Sequence, residues 1–160
     1  MFYTQLLRWM YRGHHPNGIA RFMNRIGAII ASLGITSHLM VSLEVMGRHS
    51  GHLISLPLVI VYHNERRYLV SMLGANVQWV KNVMASQGKA ILRSGIREQV
   101  VLHEIPIDQR APILKAYLQR APGARPYISV KNTAPLADFE RIAANYPVFE
   151  VLPASETASM

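Results

Sequence analysis

Leu43-Glu44-Val45-Met46-Gly47-Arg48-His49-Ser50-Gly51-His52-Leu53-Ile54-Ser55-Leu56-Pro57 is the stretch whose reading decides the fold. Two apolar arms rich in Val, Ile and Leu flank the compact turn from Gly47 to Gly51, which is the pattern of an antiparallel hairpin. Its tip carries one arginine, a histidine and a hydroxyl between two glycines. Glycine lets the backbone approach a ligand closely, and Arg48 offers a planar fork for phosphate or carboxylate oxygens, so the tip has the chemistry of an anion site. An ordinary solvated turn has the same composition, and the tip alone does not separate the two readings.

Outward from this hairpin, the arms extend over Met40 to Met46 and Leu53 to Tyr62, and Pro57 marks an edge, bulge or bend in the second arm. His63-Asn64-Glu65-Arg66 makes the next turn, and Arg67 to Leu73 returns as a third strand. A helix over Val77 to Ser86 follows, ended by Gln87-Gly88. Lys89 to Arg93 and Glu98 to Ile105 form another hairpin around Ser94-Gly95. A helix over Gln109 to Gln119 takes Asp108 as its amino-terminal cap. Tyr127 to Val130 reads as a short extended piece, Pro135 to Asn145 as a helix, and Val148 to Leu152 as a closing strand.

Before the hairpin, the first 36 residues contain Arg8, Arg12, Arg21 and Arg25 but no acid, and two amphipathic helices are predicted, over about Phe2 to Met10 and Ile19 to Leu33. Such faces either pack on the protein's own core or a second copy, or lie on an anionic bilayer. The resulting division is a helical extension over 1–37, a main domain over 38–153 and a frayed tail over 154–160. About six strands linked by hairpins make the fold class α+β, mainly antiparallel β. A small barrel with flanking helices fits this count better than a doubly wound sheet, which needs a helix after nearly every strand.

The chain has 160 residues, no cysteine and a net charge of +8, with charged residues making up only 16%. The absence of cysteine excludes disulfides and thiol nucleophiles and fits a cytoplasmic protein. Basic residues are dispersed rather than gathered in a stripe, which ranks an anionic small ligand or membrane surface above nucleic acid. No window approaches the ~20 apolar residues of a membrane span. The seven histidines show no ligand spacing, so no metal site is predicted.

Two further features lie after the hairpin. The junction from Ser71 to Trp79 leads from a strand into a helix whose first amides lack partners. Trp79 and Asn82 follow on that helix, where by itself Trp79 reads first as a core residue and Asn82 equally as a surface one.

Taken in order, G-R-H-S-G (47–51), S-L-P-L (55–58), V-S-M-L-G-A-N (70–76) and W-V-K-N-V (79–83) resemble the deazaflavin-dependent nitroreductase and quinone reductase family of actinobacteria. The resemblance covers Met40 to Leu152. It implies a split β-barrel of the flavin-mononucleotide (FMN)-binding type, with coenzyme F-420 as cofactor and FMN as the alternative. It further implies that Arg48, His49 and Ser50 meet the cofactor's phosphate or tail, with Ser55 and Pro57 beside the ring. Ser71, Met72, Gly74, Asn76, Trp79 and Asn82 would shape the other wall, and Tyr127 would face substrate. Relatives often carry Lys or Arg where this chain has His49, and another basic residue where it has Leu53 and Ile54, which implies weaker hold on a charged tail.

The activity so implied is transfer of a hydride to a quinone, nitroaromatic or other conjugated, hydrophobic acceptor, with the reaction supplied by the cofactor and no catalytic acid or base in the chain. A homodimer enters as a partner through the same resemblance. A different class remains open: a non-catalytic carrier of lipid or another hydrophobic ligand on the same barrel, for which eight methionines offer an adaptable pocket.

Overall fold

The computed structural model describes residues 39–121, 124 and 127–157. The two amino-terminal helices and the 1–37 extension predicted from sequence lie outside these residues.

Six antiparallel strands close into a barrel in the order β1-β2-β3-β6-β5-β4. They are β1 (Met40–Met46), β2 (Leu53–His63), β3 (Arg66–Val70), β4 (Lys89–Ser94), β5 (Ile96–Glu104) and β6 (Val148–Pro153). Helix α1 (Gln78–Ala85) links β3 to β4, while α2 (Ala111–Arg120) and α3 (Leu136–Ile142) lie between β5 and β6. This is the antiparallel barrel with flanking helices expected from the sequence.

The strand pattern divides the protein into two cores. Val41, Leu43 and Val45 of β1 point into the barrel with Leu56, Leu58 and Ile60 of β2 and Phe149 of β6. The apolar run in β2 breaks strict alternation because Val59 and Val61, on its outer face, are also buried. They form a second core with Tyr68 and Val70, covered by Ile113, Leu114, Tyr117 and Leu118 of α2 and Phe139 of α3. A strand buried on both faces reads as continuous apolar sequence.

Pro57 sits opposite Ser42 in an unbroken β1–β2 register from Met40↔Val59 to Met46↔Leu53, without a bulge. Pairing with β3 begins only at Ile60↔Leu69, so Pro57 lies where β2 has one neighbour and its missing amide costs no ladder bond on the other side. The turn Asn64-Glu65 has φ of 49° and 64°, the left-handed pair that a two-residue hairpin turn needs.

The structure departs from the sequence reading in several places. β3 ends at Val70, three residues early: the Ser71 amide still donates to the carbonyl of Pro147 at 2.9 Å in the β3–β6 register, but Pro147 has no amide to return the bond and the Ser71–Gly74 turn follows. Asp108 does not cap α2: it lies in a 3-10 turn over Ile107–Gln109, and the helix starts at Ala111, where Pro112 fits the first turn. Tyr127 lies in a 3-10 turn and residues 128–130 form bends rather than a strand, since the closed barrel leaves no edge for them to join. The helix predicted to Asn145 ends at Ile142 and tightens to a 3-10 turn over Ala143–Asn145. In place of a wholly frayed tail, Ala154–Thr157 add one turn, α4, packed against β5 and β6.

Candidate functional site

The hairpin tip is a closed turn. The Gly47 amide donates to the His52 carbonyl at 2.8 Å and the Gly51 amide to the Gly47 carbonyl at 2.9 Å. Gly51 takes φ +69°, a conformation that favours glycine, and a Cβ on Gly47 would push aside the Ser50 hydroxyl and the end of the Ile54 side chain. Ser50 Oγ accepts from the His52 amide at 3.2 Å and keeps its own proton to donate. His49 and Ser50 are exposed.

Arg48 turns from the tip onto α1. Its Nη1 donates to Asn82 Oδ1 at 2.8 Å, its Nη2 to Gln78 Oε1 at 2.8 Å, and its amide to Asn82 Oδ1 at 3.2 Å. Gln78 and Asn82 stand one helical turn apart on one face, so a single guanidinium spans both. Asn82 is 3% exposed and Arg48 is half-buried. The partners are neutral amide oxygens, and among the described residues no carboxylate pairs with Arg48. Its positive charge is therefore held in place without being neutralised. Val77, the residue before α1, contributes no side-chain cap, which leaves the helix's first-turn amides without a side-chain partner beside the same clamp.

The turn leading to α1 is internally bonded. Ser71 is buried and its hydroxyl donates to the Gly74 carbonyl at 2.5 Å, while the Gly74 amide donates back to the Ser71 carbonyl at 3.2 Å. Gly74 takes φ +94°, and Asn76 is exposed. Ser55 and Pro57 sit on the outer face of β2, where Ser55 Oγ lies 2.7 Å from Ser42 Oγ. Continuing the β2–β3 register past Ile60↔Leu69 would set Pro57 opposite Met72. The chain leaves the sheet there, opening β2 beside Ser55 and Pro57.

The structure thus joins Arg48 directly to Asn82, with His49 and Ser50 on the same tip and Ser71, Gly74 and Asn76 on the turn that feeds the same helix. Trp79, Met72 and Tyr127 are placed differently. Trp79 is 3% exposed inside the barrel, its ring 5.6 Å from that of Phe149 and tilted by 57°. Met72 is buried in the outer core, where its sulfur accepts from the Tyr117 hydroxyl at 3.3 Å. Tyr127 packs on that outer core, its carbonyl accepting from the Tyr146 hydroxyl at 3.0 Å. Gln78 was missed by the sequence reading, although its spacing of four from Asn82 was a usable signal.

No known protein-family profile matches the sequence, and no curated protein matches it. Solved structures do resemble the fold. A protein described as a 5-nitroimidazole antibiotic resistance protein, from Bacteroides thetaiotaomicron, aligns over 82% of this chain and 79% of its own at 13% identity, with a TM-score of 0.52. An F-420-H2 dependent reductase aligns over 73% of this chain and 96% of its own at 19% identity, also with a TM-score of 0.52. A domain-swapped dimer aligns over 80% and 96% at 18% identity and the same TM-score. At such identities the likeness concerns architecture: the chain has the split-barrel fold.

Proposed function

We propose that the protein is an oxidoreductase whose cofactor is a deazaflavin of the coenzyme F-420 type. The observation that carries the reading is the clamp of Arg48 on two neutral side chains, which leaves an uncompensated, oriented guanidinium between a glycine-rich tip and the start of a helix. The similarity of the fold to that of an F-420-H2 dependent reductase supports it.

In this reading Arg48 and the Ser50 hydroxyl hold the phosphate or acidic tail, and the exposed His49 adds a hydrogen bond from the same tip. Ser55 and Pro57 give the ring a flat surface on open β2. Asn82 and Gln78 fix Arg48, while Trp79, Met72, Ser71 and Gly74 set the shape of the opposite wall from beneath, and Asn76 contributes at its rim. Bound in its reduced form, the deazaflavin supplies a hydride, which with one proton from solvent converts a quinone to a hydroquinone. The chain's part is to orient the two reactants and exclude water. The domain-swapped dimer among similar folds supports a second copy of the chain as partner.

The test is anaerobic oxidation of reduced coenzyme F-420 by a simple quinone and a nitroaromatic, with reduced FMN in parallel. Turnover with the deazaflavin alone supports the proposal. Turnover with FMN alone replaces the cofactor, and turnover with neither rejects the oxidoreductase reading in favour of a carrier.

A further inference from the structure

Outside the clamp, one group of charged side chains stands out on the outer face of the barrel. The strand registers align Arg97, Arg93, Ser42 and Pro57 in one row across β5, β4, β1 and β2, and Ile91, Glu44 and Ser55 in the next. Glu44 is 7% exposed. Two arginines enclose it: Arg93 Nη1 donates to Oε1 at 3.2 Å, and Arg97 donates to Oε2 through Nε at 3.3 Å and Nη2 at 2.9 Å.

The arrangement is one anion serving two cations, so the group carries a net charge of +1. The guanidinium side chains remain 60% and 56% exposed. Glu44 therefore orients them without using up their donors: Nη2 and Nε of Arg93 and Nη1 of Arg97 make no bond among the described residues. Ser42 and Ser55 share one hydrogen bond, so one of their two protons also remains to donate. Arg93 lies two strand spacings from Pro57, roughly 10 Å. Pro57 and Ile91 supply apolar surface on the same face.

We infer that this face is an acceptor subsite for an aromatic or conjugated carboxylate, whose ring lies toward Pro57 and whose carboxylate is taken by Arg93 and Arg97. The inference deepens the proposed function and rests on it for the ring-side role of Ser55 and Pro57, but the carboxylate site is testable without cofactor. It replaces a purely hydrophobic acceptor with an anionic one. Glu44 acts as a positioning residue, since among the described residues its carboxylate bonds to the two arginines.

The probe is 4-nitrobenzoate, titrated into the full chain without cofactor by calorimetry and compared with its neutral methyl ester. The acid is expected to saturate, to bind roughly tenfold tighter than the ester, and to weaken with added salt. Arg93→Gln and Arg97→Gln should each abolish the preference for the acid while melting as the parent does, because both side chains are largely exposed. Arg97→Lys should restore part of it, as charge returns without the fork. Equal binding of acid and ester, absence of acid binding, or an unchanged preference in both glutamine variants overturns the inference. Coenzyme is absent from this titration, so failure of coenzyme F-420 to bind would refute the cofactor reading separately.

Discussion

Arg48 is the residue on which the account turns, because its fork bonds two neutral oxygens across a hairpin tip and a helix face. Removing its buried partner should loosen the tip: Asn82→Ala is expected to destabilise the protein by about 1–2 kcal/mol, read from the urea midpoint. Two titratable residues carry pH signatures of opposite sign. Tyr117 is buried, which pushes its hydroxyl well above the ordinary value of 10.0. The unfolded chain loses that proton first, so stability is full below pH 10 and falls above it, ~tenfold in the unfolding equilibrium per pH unit until the folded group titrates. Tyr117→Phe should flatten this alkaline limb in melts from pH 9 to 11. Glu98 is held below its ordinary 4.5 chiefly by hydrogen bonds from Arg67, at 2.8 and 3.0 Å. Its contribution is present above 4.5 and fades as pH falls through the lowered value, and Glu98→Gln should reduce the acid sensitivity of the melting temperature.

Among the elements, α1 and α2 depend on features that interact with distant backbone. Gly88 ends α1 at φ +82°, and a Cβ there would run into the carbonyl of Leu102 on β5. Gly88→Ala is expected to cost about 2 kcal/mol or more, measurable by denaturant unfolding. Arg110, at the start of α2, is buried and donates to the carbonyls of Ile105, Ala143 and Tyr146 and to Glu104. Arg110→Ala should destabilise by about 3 kcal/mol, because it leaves buried carbonyls without a donor. Element identity was legible where alternation or glycine chemistry is strong: β1, the Gly47–Gly51 turn and the Gln87-Gly88 stop stand where the sequence places them. The start of α2 was not, because Asp108 fits a cap by composition while Pro112 and the buried Arg110 decide the start through contacts distant in sequence.

At the scale of the molecule, closure of six strands explains both what the sequence disclosed and what it hid. Hairpin spacing announced the barrel, but the pairing of β1 with β4 and of β3 with β6 joins strands far apart in sequence and has no local signature. The same holds for the site. Arg48 and Asn82 could each be singled out, yet their bond spans 34 positions, and the enclosure of Glu44 by Arg93 and Arg97 spans three strands. The burial of Trp79 beside Phe149 likewise follows from closure. Among the described residues no helix is long and apolar enough to cross a membrane. The central claim, that the oriented charge of Arg48 receives an anionic deazaflavin, is tested most directly by fluorescence titration of the parent and Arg48→Ala with coenzyme F-420, each shown by melting to be folded. Saturation of the parent is expected at about 1 μM, near −8 kcal/mol, with at least ~tenfold weaker binding by the variant. Equal affinities, or no saturation by the parent, would contradict it.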